Sequence, residues 1–172
     1  MGMNIDKLKL LQKSAISESA KLLPENDIDF LIRKLMEKEY TIRYNTFLLL
    51  QAHSKESALV YRHWNELADK LESDNSFQRS IGVMLLADNV RWDSDGKFNS
   101  TINRYLNCCS DEKFITARQA IQGLSKILNA SVTYDKKIKQ HLANLPLKKY
   151  KKKQQKLLAK DIAQTFKILE NR

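Results

Sequence analysis

The apolar positions of this chain recur with two periods at once. Within short windows they fall at i and i+4, the spacing that lines one face of a helix, as at Leu31 and Leu35, Leu67 and Leu71, Ile102 and Leu106, and Ile138 and Leu142. Those four pairs are themselves 36, 35 and 36 residues apart. An aromatic follows each pair, at Tyr40, Phe77, Phe114 and Tyr150. Seven residues beyond each aromatic stands Phe47, Met84, Ile121 or Leu157, two turns further along the same face. Each unit therefore predicts two amphipathic helices. The expected helices span about 4–22, 27–38, 41–53, 57–72, 76–91, 99–108, 112–129, 134–144 and 152–170. Asn26, Ser100 and Thr133 are the expected N-caps of first helices, with Asp74 or Asn75 and Asp111 at the starts of second helices. Pro24 and Pro146 fall in connections.

A two-helix unit of this length cannot bury its apolar stripe alone, whereas stacked units share one continuous core. The pattern thus predicts a single all-α domain over 1–172, an α-α superhelix of the HEAT/ARM-like solenoid class with about nine helices. Residues 1–25 form a capping helix, and the repeats cover approximately 26–55, 56–93, 97–130 and 133–172. Four glycines and two prolines suit long helices on short connections better than an all-β fold.

Arg43 and Arg79 lie 36 residues apart, early in successive second helices, and Arg118 follows at nearly the same place. This resembles the HEAT-repeat pattern, in which an aspartate in the turn and an arginine early in the second helix build a ladder between units. Asp74 with Arg79 and Asp111 with Arg118 match it, while the first repeat offers Glu37 or Glu39. A guanidinium carries five donors and can tie turn carbonyls and carboxylates of adjacent units together. A closer resemblance covers roughly residues 60–170. Asp74-Asn75-Ser76, Trp92-Asp93, the run from Asp111 through Thr116-Ala117-Arg118-Gln119, and Lys160-Asp161-Ile162 are similar to a family of short bacterial HEAT-like proteins with no established activity. Some members carry an iron–sulfur-assembly (SufBD) label. Phe114 stands where that pattern has proline.

The label implies little chemistry in this chain. Cys108 and Cys109 are its only cysteines, and two adjacent thiols cannot supply the four spaced ligands an iron–sulfur cluster takes. Neither a cofactor nor a metal is expected. His53, His63 and His141 have no metal-ligand spacing, and in Asp93-Ser94-Asp95-Gly96 the glycine comes too early for a calcium loop. Trp92 beside Asp93 is the one pair with a catalytic reading, a base-stacking aromatic and an acid as in helical-repeat DNA glycosylases. The favoured reading is architectural, a tryptophan covering an inter-repeat joint and an aspartate capping a turn. Trp64, three residues before Leu67, is expected in the core. No nucleophile elbow or phosphate-cradling loop occurs, so the chain is not expected to be an enzyme.

Charge adds a second candidate surface. The formal net charge is +10, of which residues 134–172 carry 12 Lys/Arg against 3 Asp/Glu. Lys148, Lys149, Lys151, Lys152, Lys153 and Lys156 cluster around Tyr150. Such a run reads first as a solvated face. Several of its lysines crowd the start of the last expected helix, where the macrodipole disfavours cations, so the alternative reading is an anionic partner, either a phosphate backbone or an acidic protein surface. No apolar run reaches the roughly 18 residues of a membrane span and no signal-peptide pattern opens the chain, which predicts a cytoplasmic protein without membrane contact. The expected function is a non-catalytic interaction module whose second helices bind a protein partner. The alternative is a nucleic-acid-binding protein related to the HEAT-like base-repair proteins.

Overall fold

The computed structural model describes residues 2–172. Ten α-helices account for most of them, with short 3-10 turns between several, and no strand occurs among the described residues. The helices are α1 (Ile5–Leu10), α2 (Ile16–Lys21), α3 (Glu25–Lys34), α4 (Tyr40–His53), α5 (Trp64–Asp69), α6 (Ser76–Asn89), α7 (Phe98–Cys108), α8 (Phe114–Ala130), α9 (Asp135–Ala143) and α10 (Lys152–Glu170). The protein is all-α.

The longer helices α4, α6, α8 and α10 pack side by side in chain order, α4 on α6, α6 on α8 and α8 on α10. Helices α3, α5, α7 and α9 precede them one by one. Polar contacts join α3, α5, α7 and α9, or the residue just before them, to their neighbours: His63, before α5, meets Asp29 of α3 through Nε2 at 2.9 Å, Trp64 Nε1 donates to Thr101 Oγ1 at 3.0 Å, and Tyr134, before α9, donates to Asn99 Oδ1 at 3.0 Å. Between the two sets lies one apolar core, in which Leu31, Leu50, Leu67, Leu85, Ile121, Leu124 and Leu158 are fully buried. Aromatics run through it. Trp64 lies 6.1 Å from Phe98, and Phe98 stands edge-on to Tyr105 at 5.8 Å and to Tyr134 at 4.9 Å. Edge-to-face contacts of this kind add to the area they bury.

Helices α6 and α8 approach closely because of Gly123. A Cβ there would meet the Tyr105 hydroxyl and come within 3.0 Å of the Ala87 methyl. Tyr105 spends its hydroxyl on the Ala120 carbonyl at 3.0 Å, so it fills this space with its polar atom satisfied.

Several expected boundaries are corrected. The capping helix expected over 4–22 is two helices, because the chain is extended at Leu11 and Gln12. Asn45 from α4 accounts for the break: its amide donates to the carbonyls of Leu8 (2.8 Å) and Leu11 (3.2 Å), taking the place of the next helical turn. The helix expected over 57–72 is α5 flanked by 3-10 turns at Val60–His63 and Lys70–Glu72. Asn26, Ser100 and Thr133 are not N-caps, since α3 starts at Glu25 behind Pro24, α7 at Phe98 and α9 at Asp135. Asn75 does cap α6, accepting the Phe77 N–H at 2.9 Å. Phe114 is the first residue of α8, a position that tolerates proline, and its ring packs on Tyr150 at 6.4 Å.

Candidate functional site

Arg79 sits one turn into α6 and uses both ends of its guanidinium. Nη1 donates to the carbonyls of Ser73 (2.7 Å) and Asp74 (3.2 Å), while Nε and Nη2 take the two oxygens of Asp111 at 2.6 and 2.9 Å. Asp111 is held in place by the Lys113 N–H, which reaches its Oδ1 at 2.8 Å. The pairing therefore runs forward to the next turn. Asp74 contributes its backbone carbonyl, and the expected Asp74–Arg79 carboxylate pair is not formed. Likewise Arg118 reaches forward to Asp161 in α10, Nε to Oδ2 at 2.7 Å, instead of back to Asp111. Arg79 thus meets the turn before the next long helix and Arg118 the middle of the next long helix itself, so in both cases the carboxylate lies ahead in the chain. Burial alone would push the Asp111 carboxyl up; the Arg79 hydrogen bond and the Lys113 N–H overcome this and hold it below the ordinary carboxylate value.

Arg43, in α4, repeats the first half of this arrangement. Its Nη1 donates to the carbonyls of Glu37 (2.8 Å) and Lys38 (3.2 Å). Its guanidinium carbon lies 5.9 Å from the Tyr40 ring and 5.4 Å from the Phe77 ring, and both rings are 62% exposed.

At the other end of the same helices a second row crosses three of them. Asp88, buried in α6, accepts Gln51 Nε2 from α4 at 2.9 Å and the Lys126 ammonium from α8. A cleft of about 430 Å³ opens there, lined by Lys55, Ala87, Asp88, Arg91, Lys126, Asn129 and Ala130. Lys55 and Arg91 are exposed, and among the described residues neither pairs with a carboxylate. Lys55 also borders a neighbouring cleft of about 280 Å³ with Lys13, Lys21 and Leu48. This cationic row lies outside the residues expected from sequence, although a signal for it is present there: Lys55, Arg91 and Lys126 are 36 and 35 residues apart.

Trp92 and Asp93 are consumed by the fold. The Trp92 indole N–H donates to the Ser54 carbonyl at 2.7 Å, with Arg91 over its ring at 5.7 Å. Asp93 accepts the Tyr61 hydroxyl (2.8 Å) and the N–H groups of Lys97 (2.8 Å) and Phe98 (2.9 Å), which caps α7. Burial, then the bond to Asp93, pushes the Tyr61 hydroxyl far above its ordinary value. The cysteines are buried too. Cys108 is 4% exposed, with its thiol pushed up to about 12 by burial, and Cys109 is fully enclosed with its thiol higher still. Among the described residues no three His, Cys, Asp or Glu side chains gather where a metal ion could be held.

The lysine cluster is split by the structure. Lys149 donates its ammonium to the Ser110 carbonyl and lies 5.3 Å from the Tyr150 ring, and Tyr150, buried, donates its hydroxyl to the Asp111 carbonyl. Those two residues fasten the chain before α10 onto the turn that also holds Asp111. Lys148, Lys151, Lys152, Lys153 and Lys156 are exposed, with Lys152 and Lys153 in the first turn of α10. No described helix is long and apolar enough to cross a membrane. Comparison of the chain with protein-family models, with curated proteins and with solved structures returned no match.

Proposed function

We propose that the protein is a non-catalytic interaction module, a HEAT-like α-α superhelix that binds a protein partner along its long helices. The observation that carries this reading is the row Gln51–Asp88–Lys126 with the open cleft beside it, a surface to which three successive long helices each contribute a side chain. Stacked units build extended surfaces of this kind, and no single unit could make one. Its mixed charge suits a protein better than a nucleic-acid backbone. A buried carboxylate, Asp88, lies in the floor among the cations and would repel phosphates packed against it. The residues that looked most chemical, Trp92 and Asp93, have their polar atoms occupied by the backbone and by Tyr61.

The test is a photo-crosslinking amino acid at Asn129 in living cells, with a matched probe at Lys136 on α9 as control. A discrete protein adduct formed from Asn129 and not from Lys136 is the expected result. Adducts to nucleic acid alone, from either position, would replace this reading with the nucleic-acid alternative.

A further inference from the structure

Arg43 and Arg79 occupy equivalent places and differ in one respect. Each uses Nη1 on two turn carbonyls, at 2.8 and 3.2 Å for Arg43 and at 2.7 and 3.2 Å for Arg79. Arg79 then spends Nε and Nη2 on Asp111, 32 residues ahead. The residue 32 ahead of Arg43 is Asn75. Asn75 has the same local role as Asp111: its side-chain oxygen accepts the N–H two residues on, Phe77 at 2.9 Å, as Asp111 accepts Lys113 at 2.8 Å. It lacks the anionic second oxygen. Among the described residues nothing accepts from Arg43 Nε or Nη2. The fork is thus fixed by its carbonyl bonds and flanked by the exposed rings of Tyr40 and Phe77, with its bidentate edge unused.

We infer that Arg43, Tyr40 and Phe77 form a docking site for a carboxylate side chain of a protein partner, which occupies the place Asp111 takes at Arg79. The inference rests on the interaction-module reading and names the chemistry of the partner. A guanidinium pre-set by two hydrogen bonds loses little freedom on pairing, and its planar edge matches a carboxylate with two parallel bonds. Exposed tyrosine and phenylalanine beside an arginine supply the apolar contact and water exclusion that make such a pair productive at an interface. The site also joins the cleft. Tyr40, Tyr44, Leu48 and Gln51 follow one another at helical spacing along a single face of α4, and Lys55 lies two residues past its end, so one bound segment reaches both sites.

The decisive variant is Asn75→Asp, which keeps an N-cap and supplies the missing carboxylate from within. Acetate, titrated against the full chain, is expected to shift the Arg43 Nε–H resonance saturably and to leave that of Arg79 unmoved. In Asn75→Asp the Arg43 signal should already sit near the Arg79 position, with its acetate response weakened at least about tenfold. In cells, a photo-crosslinker at Tyr44 should capture a protein in the wild type and lose it in Asn75→Asp and in Arg43→Gln. No acetate response, an unchanged response in Asn75→Asp, or absence of a variant-sensitive adduct would each overturn the inference. Inorganic phosphate acting where acetate does not would overturn it in favour of a phosphate-bearing ligand. Failure at Arg43 leaves the Asn129 adduct untouched, and loss of that adduct leaves the acetate response in place, so the two readings fail separately.

Discussion

Arg79 and Asp111 form a two-pronged ion pair between the start of α6 and the turn before α8, Nε to Oδ2 at 2.6 Å and Nη2 to Oδ1 at 2.9 Å. Both side chains are largely withdrawn from water, 12% and 6% exposed, so their hydrogen bonds are poorly replaced by solvent. Arg79→Ala would leave the Asp111 carboxylate and the carbonyls of Ser73 and Asp74 without this donor. The expected cost is roughly 2–4 kcal/mol, read as a lower denaturation midpoint at unchanged slope. A cycle with Asp111→Ala should return a coupling above about 1 kcal/mol. Additive losses would mean that the pair is incidental.

The same pair makes the fold's stability depend on acid pH. The Asp111 carboxyl titrates lower when folded than its unfolded value of about 3.9, so its contribution is complete above that pH and lost as pH falls through the folded value. His141 acts one window higher. Burial lowers its folded value from 6.5, so the unfolded chain takes the proton first and stability declines as pH drops below that point. Thermal melts against pH should show both steps, with Asp111→Asn flattening the lower and His141→Gln the upper.

Gly123 predicts a steric effect independent of charge. Gly123→Ala places a methyl against the Tyr105 hydroxyl, which is enclosed and bonded to Ala120, and against Ala87. Neighbours this well packed give way at a cost of about 1–3 kcal/mol. Adding Tyr105→Phe should recover part of the loss by opening room where the oxygen was. No recovery would assign the cost to the approach of the α6 and α8 backbones instead.

The all-α class and the long helices were legible because apolar positions recur at helical spacing through α4, α6, α8 and α10, and α10 begins and ends where its apolar pattern does. The break after Leu10 was not legible. It is made by Asn45, a residue 34 positions from Leu11 whose amide competes for the same carbonyls that a continuing helix would use. The regular spacing of the arginines is visible in sequence, but the direction of their pairing is not. Arg79 has an aspartate five residues back and another 32 ahead, and only the packing of α6 on α8 selects the second. The cleft at Lys55, Arg91 and Lys126 was overshadowed by the denser lysine run near Tyr150. A run of like charges is conspicuous in sequence, whereas Lys55, Arg91 and Lys126 are 36 and 35 residues apart and are gathered only by the packing of the long helices.

The cysteines provide a simple check on burial. Reaction requires the thiolate, and burial raises both thiols far above neutral pH. In native protein, Cys108 and Cys109 should resist neutral-pH alkylation over times in which the denatured chain is modified at both. Rapid labelling of either in the folded state would show that the α7 terminus opens readily.

The lysines at the start of α10 separate helix stability from partner binding. Lys152 and Lys153 occupy its first turn, where unsatisfied N–H groups make a cation unfavourable by about 0.3–1 kcal/mol. Replacing both by glutamate should therefore raise the melting temperature. The same change removes two cations that could neutralise phosphates. If the exposed lysines touch duplex DNA, the slope of log affinity against log salt should fall in magnitude by about 0.9 for each phosphate that is no longer neutralised. A protein-binding module predicts only weak, sequence-blind DNA binding, roughly 10⁻⁴ to 10⁻⁶ M at physiological salt. The expected outcome is a more stable protein that binds DNA still more weakly and forms the Asn129 adduct as before. Submicromolar, structure-selective DNA binding abolished by the same substitutions would instead make the α10 lysines the principal interface. The row at Lys55, Arg91 and Lys126 would then be reduced to cations sited near helix C-termini, where the macrodipole welcomes them.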